Sequence, residues 1–426
     1  MSNNPEGESY ERLEKRLNKF PQRVPPSKAL YKILSHLFSE KEAGLVAQLP
    51  IKPFKVKTAS HIWKMEEVEA RKILDELASR AILLDIDNNG EQEYLLPPPM
   101  AGFFEFSLMR IREDIDQKAL SELLHQYLNV EEDFIKDLFL GSETRLGRVF
   151  VQEPVLTNEG AIHILDYERA SNVIWESTHI AIGTCYCRQK MEHINLGCEA
   201  PKNVCMTLNN AAASLIKHGH ARQVDVPEAL SILAECQEKN LVQCGENVRN
   251  KVSFICNCCG CCCEGLIAVK KFGLMQPLHT THYFPVIIED RCTGCGRCVN
   301  ACPIDAIGMV LQPDKENKKK TAKIDLDICL GCGICVRSCS TQSMYLKRRE
   351  HQIITPANSV HRTVLMAIEK GLLQNLIFDN QVLGSHRAMA AILSAILKMP
   401  PIKQLMASKQ MKSVYLDRLL SQTKLG

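Results

Sequence analysis

The 426-residue sequence lacks several of the commonest functional signatures. No stretch reaches the ~18 consecutive apolar residues of a membrane-spanning helix. The longest candidate, 388–397, is ten residues long and ends at Lys398. Residues 1–16 are polar and charged, without the apolar segment of an export signal. The net charge of +3 gives the whole chain no strong polyanion-binding character. There is no Gly-x-Gly-x-x-Gly fingerprint and no Gly-x4-Gly-Lys-[Ser/Thr] loop, so a conventional nicotinamide, flavin or ATP site is not expected on this chain. A hydrophobic content of 45% is ample for packed cores, and the length suggests two to four domains. What is abundant is cysteine, with 20 residues. Without an export signal these point to metal binding in a reducing cytoplasm rather than to disulfides, and a cytoplasmic location is expected.

Two four-cysteine ladders dominate the pattern. The first is Cys292-x2-Cys295-x2-Cys298-x3-Cys302-Pro303, and the second is Cys329-x2-Cys332-x2-Cys335-x3-Cys339. A [4Fe–4S] cube needs four thiolates converging from different directions, and two-residue gaps let one tight loop wrap three corners. Gly294, Gly296, Gly331 and Gly333 lie between ligands, where the backbone must turn sharply beside the inorganic core. Zinc would call for ligands in two pairs. Residues 285–347 therefore resemble a bacterial dicluster ferredoxin domain, the family that carries electrons between redox proteins. The resemblance implies two [4Fe–4S] clusters with the fourth ligand of each crossing over. Cys292, Cys295, Cys298 and Cys339 would hold one, and Cys329, Cys332, Cys335 and Cys302 the other. Ser340 departs from the pattern, standing where a second Pro often follows the last ligand. A basic insert at 315–320 separates the two halves.

A second cysteine-rich region precedes this one. It contains Cys185-x-Cys187-x10-Cys198-x6-Cys205 and Cys256-x-Cys258-Cys259-x-Cys261-Cys262-Cys263. Helical patterns over 206–218 and, capped by Asp225, up to Lys239 separate the two sets and would bring them together. The Cys-x-Cys-Arg and Cys-Asn-Cys-Cys-x-Cys-Cys-Cys signatures resemble a cysteine-rich domain found ahead of ferredoxin modules in uncharacterised bacterial iron–sulfur proteins. Six cysteines in eight residues cannot all serve one cube, because neighbouring side chains of extended backbone point apart. The simplest expectation is that Cys185, Cys187, Cys198 and Cys205 hold a further cluster, with the 256–263 group completing it or holding another. Zinc and free redox thiols are the alternatives. Cys236 and Cys244 read as buried small hydrophobes, and His193, His218, His220, His279 and His282 as ordinary histidines near the region.

Upstream, Ser27 caps an apolar-periodic helix over 28–38, further helical patterns follow to residue 81, and 82–96 reads as a hairpin around Asn89-Gly90. Residues 27–97 resemble a winged helix. Its would-be recognition helix carries Glu66, Glu67, Glu69, Asp75 and Glu76 against Arg71, Lys72 and Arg80, so nucleic-acid binding is not favoured and a structural or protein-contact role is. From 356 to the end, nine Lys and Arg face three acidic residues over helical patterns at 363–369, 388–397 and 413–420. This segment would wrap over the protein's own core or dock on a redox complex or an anionic membrane surface.

The expected fold is α+β and multidomain. It comprises a polar lead (1–26), a winged-helix-like domain (27–97), a helical connector (98–180), a helical cysteine-rich domain (181–284), a dicluster ferredoxin domain (285–347) and a basic helical C-terminal segment (348–426). The expected function is single-electron transfer through two or more [4Fe–4S] clusters, as a ferredoxin-like component of an anaerobic redox system with redox partner proteins. The rival readings are an oxidoreductase centred on 185–263, a redox-sensing winged-helix regulator, and a scaffold subunit of a larger redox complex.

Overall fold

The computed structural model describes residues 5–88, 90–156, 165–273, 276–311, 320–350 and 355–377. The helical patterns at 388–397 and 413–420, most of the basic insert and Asn89 of the hairpin turn lie outside these. The chain is a mixture of helices and small sheets and divides into two compact units. One comprises 1–144, 213–220 and 357–426, and the other 145–212 and 221–356.

The first unit opens with helices α1 (Pro5–Leu17), α2 (Lys28–Leu37), α3 (Glu40–Val46), α4 (Val56–Trp63) and α5 (Glu67–Ser79). Ser27 caps α2 by accepting from the Leu30 amide, and Ala29, Leu30, Ile33, Leu34 and Leu37 give that helix its buried stripe. Strands β1 (Leu84–Asn88) and β2 (Glu91–Leu95) pair antiparallel with Leu84 opposite Leu95, so helices followed by a hairpin occur in the expected order. α6 (Gln117–His125), capped by Asp116, and α7 (Asp133–Leu140) follow. Phe103, Phe104, Tyr127 and Phe134 stack edge-to-face and face-to-face in their core.

The second unit corrects the expectation of a helical cysteine-rich domain. Strands β3 (Gly147–Val149), β4 (Ile180–Gly183), β5 (Cys205–Leu208), β6 (Arg222–Gln223), β7 (Val242–Glu246) and β8 (Phe254–Cys258) form a six-stranded sheet in the order β3-β7-β8-β5-β4-β6. Every pairing within it is antiparallel. The segment from Met206 was expected to begin a helix. Instead Met206 and Leu208 alternate into a core with Ile180, Ile182, Ile255 and Phe150, and the helix starts only at Asn209. Between the strands run α8 (Ala170–Trp175), α9 (Tyr186–His193), α10 (Asn209–Lys217), whose residues from 213 on belong to the first unit, and α11 (Val226–Glu238), with α12 (Glu264–Phe272) following the last strand. Asp225 caps α11 as its sequence predicts, accepting from the Glu228 amide. α8 and α11 cover the apolar face of the sheet through Val173, Ile174, Ala229 and Leu233.

The remainder of this unit is built from two similar halves. β9 (Tyr283–Ile287), a cysteine loop, α13 (Arg297–Ala301) and β10 (Ile307–Leu311) form one half. β11 (Lys320–Ile324), a second cysteine loop, α14 (Ile334–Arg337) and β12 (Met344–Arg348) form the other. The first strand of each half pairs antiparallel with the last strand of the other: β9 with β12, and β10 with β11. This exchange is what a twofold-related pair of halves produces. After it come α15 (Ser359–Glu369) and α16 (Leu373–Ile377), which belong to the first unit.

Candidate metal centres

Each ladder sits on a loop that enters a short helix through a glycine with positive φ, Gly296 at 75° and Gly333 at 91°. The glycine requirement is strictest at Gly331. Its φ is +71°, and a Cβ there would collide with the Tyr283 carbonyl and the Thr281 hydroxyl. The loop is pinned from several directions. Thr281 Oγ1 donates to the Gly331 carbonyl at 2.8 Å, Arg349 Nη2 to the Cys329 carbonyl at 3.0 Å, and the Gln152 amide to the Cys332 carbonyl at 2.9 Å.

A cavity is lined by Cys302, Cys329, Cys332 and Cys335 together with Pro303, Ile304 and Ile307. This is the crossed-over set implied by the resemblance, and the donor chemistry fits a thiolate-held cluster. Burial pushes the thiols of Cys302, Cys329, Cys332 and Cys335 upward, and the neighbouring cysteines of the set push several of them further. The other set differs in exposure and polarity. Cys292 and Cys298 are buried and Cys295 is exposed. Burial would raise Cys339, but contacts from Ser343 Oγ at 3.1 Å and Thr341 Oγ1 at 3.5 Å hold it below the ordinary thiol value. In the buried set the Ala306 amide donates to Cys302 Sγ at 3.3 Å.

The second cysteine region follows from strand register. Cys244 on β7 stands opposite Cys256 on β8, and Met206 on β5 stands opposite Ile255. One step further in that antiparallel register sets Cys205 opposite Cys256. Because alternate residues share a face, the side of the sheet away from the Ile180–Met206–Ile255 core carries Cys205, Cys244, Cys256 and Cys258. Sulfur contacts run on from Cys258 to Cys263 and from Cys263 through Cys187 to Cys185. Contacts from Cys187 and Cys258 pull Cys263 down to about 7, whereas the donors Cys187 and Cys258 move up. Cys244, read as a buried small hydrophobe, is buried as expected, and its sulfur also reaches Cys258. The signal in the sequence was its position in the strand 242–246, which can be read only once the partner strand is known. Cys236 matches its expectation: it packs fully buried among Val204 and Leu241, and burial pushes it up to about 12.

Cys198 does not join Cys185, Cys187 and Cys205, as the sequence spacing suggested. It joins Cys259, Cys261 and Cys262, and these sulfurs all lie within 4.8 Å of one another. A sulfur contact from Cys262 pulls Cys259 down to about 4, against the effect of burial and with help from Arg188. Arg188 is itself buried, its Nη atoms donating at 2.7 Å to the Pro201 and Asn257 carbonyls. Beside it, Lys190 of α9 and Glu264, the first residue of α12, form an ion pair at 0% and 3% side-chain exposure. That pair ties the helix that carries Cys187 to the helix after Cys263. Gly260 packs against Pro303, so the 259–262 loop touches the residue that follows Cys302.

Four of the five nearby histidines have partners elsewhere. His218 Nε2 meets Asp85, His220 Nε2 meets the Ser79 carbonyl, His282 pairs with Glu168, and His193 meets Gln189. Burial pushes His220 and His279 down to about 4.

Residues 291–343 match the family model of the 4Fe-4S dicluster domain. The match makes this segment an iron–sulfur domain with two [4Fe–4S] clusters and gives the chain an electron-transfer role that implies redox partners. Comparison with curated proteins and with solved structures returns no match. Among the described residues, no helix is long and apolar enough to cross a membrane.

Proposed function

We propose that the protein passes single electrons between an external redox partner and its own cysteine-rich domain, by way of the two ferredoxin-type clusters, as a component of an anaerobic redox system. Each cubane, when bound, accepts and returns one electron. Cys292, Cys295, Cys298 and Cys339 would hold the outer one, and Cys302, Cys329, Cys332 and Cys335 the inner one. The observation that carries this reading is the difference in surroundings of the two sets. Cys295 is exposed, and a Cβ on the adjoining Gly296 would meet nothing within 4 Å, so a partner can approach the outer set closely. The inner set faces the cysteine-rich domain, with Gly260 of that domain packed against Pro303, the residue that follows Cys302. The Ser343 hydroxyl and the Ala306 amide place donors on ligand sulfurs, which stabilises the more negative, reduced state. The array of Cys185, Cys187, Cys205, Cys244, Cys256, Cys258 and Cys263 is where a further cluster would extend the path.

The test is iron and acid-labile sulfide per chain after anaerobic purification, with electron paramagnetic resonance of the reduced protein. About eight of each corresponds to the two cubes, and about twelve to a third cluster in the array. Cys295→Ser and Cys332→Ser should each remove one cube's signal. A Cys295→Ser/Cys332→Ser double variant that kept all of its iron would refute the assignment.

A further inference from the structure

From the spacing of four sulfurs we infer that Cys198, Cys259, Cys261 and Cys262 bind one tetrahedral metal ion of the Zn2+ class, rather than a cluster. A metal bound to four thiolates at about 2.3 Å sits at the centre of a tetrahedron whose edges are about 3.8 Å. The sulfurs here are 3.7 Å apart for Cys198–Cys259, 3.6 Å for Cys198–Cys262 and 3.7 Å for Cys261–Cys262. The other three pairs fall under the same 4.8 Å limit, so all six edges are short. A [4Fe–4S] cube places four irons and four sulfides between its thiolates, which must then stand about 6 Å apart. Among the described residues, neither ferredoxin-type ladder draws its cysteines into such a tight group. Among the described residues the narrow spacing is thus found at this quartet and not at the ladders, where the family match indicates cubes.

The backbone explains how neighbouring cysteines can serve one ion. Past β8 the chain turns at 259–262, the Cys263 amide reaching back to the Cys259 carbonyl at 3.3 Å, so Cys261 and Cys262 leave the alternation of extended backbone. Cys198 arrives from the separate loop after α9. Four thiolates around a divalent ion leave two negative charges, and the buried Arg188 guanidinium against Cys259 offsets part of that charge from outside the ligand shell. Cys261 is exposed and Cys262 buried, which gives an entry path on one side and a closed wall on the other. With four protein ligands no coordination position is open, so the ion clamps two loops and does not bind substrate. Of zinc and ferrous iron, such a site favours zinc by the usual affinity order.

The experiment uses the full chain purified anaerobically without chelator. Metal analysis should find one zinc per chain, and Cys261→Ser and Cys259→Ser should each lose it while iron, sulfide and the reduced-state resonance stay unchanged. Zinc-edge X-ray absorption on the unmodified protein should show four sulfur neighbours at about 2.3 Å, a readout that does not depend on how the variants fold. Loss of about four irons with their sulfide in either variant would make the quartet part of a cluster and overturn the inference. Zinc-free protein with one sulfide-free iron atom in the quartet would overturn the choice of metal. The zinc count is independent of the iron and sulfide counts, so this inference and the electron-transfer reading fail separately.

Discussion

Replacing Gly260 with alanine should damage the contact between the cysteine-rich domain and the ferredoxin-type domain while leaving every ligand in place. The φ of Gly260 lies outside the left-handed region, so an alanine there is not strained by its backbone. The obstacle is space. An added Cβ would lie 2.8 Å from the carbonyl carbon of Pro303 and 3.2 Å from its Cα, and closer still to its oxygen. Carbon atoms rest at about 3.5–4.0 Å, so one loop must retreat by about 1 Å. Both are backbone and both are anchored by cysteines, one loop carrying Cys259, Cys261 and Cys262 and the other carrying Cys302. No side chain can rotate away to relieve the clash. Overpacking of this kind costs about 1–3 kcal/mol, which for a unit of some two hundred residues lowers Tm by about 2–12 °C. Anaerobic thermal unfolding of the metal-loaded protein measures this, and electron paramagnetic resonance should show a change in the inner cluster, the one next to the displaced Pro303. Gly308→Ala is the control, because its Cβ would meet nothing within 4 Å. A Gly260→Ala protein with the Tm and resonance of its parent would refute the packing argument.

Lys190→Met should destabilise the second unit by about 3–5 kcal/mol by leaving Glu264 buried without its cation. Denaturant unfolding checks this, and a Lys190→Met/Glu264→Leu double variant should recover most of the loss. In the first unit, burial would raise Asp85, but hydrogen bonds from Lys217 and Ser214 and the adjacent His218 hold its carboxyl below the ordinary value of 3.8. A carboxyl depressed in the folded state contributes stability that is fully present above its unfolded pKa and is lost as pH falls through the folded one. That contribution should therefore fade below about pH 4, and Asp85→Asn should flatten this part of the stability–pH curve.

The ladders at 292–302 and 329–339 could be read without a structure because their ligands are local, so spacing alone restricts what they can wrap. The Ser27 and Asp225 caps and the stripe of Leu30, Ile33, Leu34 and Leu37 were legible for the same reason, since each depends on residues within one or two turns. The middle domain was not. Met206 and Leu208 fit a helix as readily as a strand in a short apolar run, and only pairing with Ile180 and Ile255 decided for a sheet. The grouping of its cysteines was decided at the same level. Cys244 gained sulfur neighbours because β7 lies beside β8, and Cys198 left Cys185 and Cys187 because the turn after β8 carries Cys259, Cys261 and Cys262 to it. The number and type of thiols, and the two clusters, belong to the sequence. Which distant thiols share an ion, and at what separation, follows from strand register and loop closure, which bring together residues more than sixty positions apart.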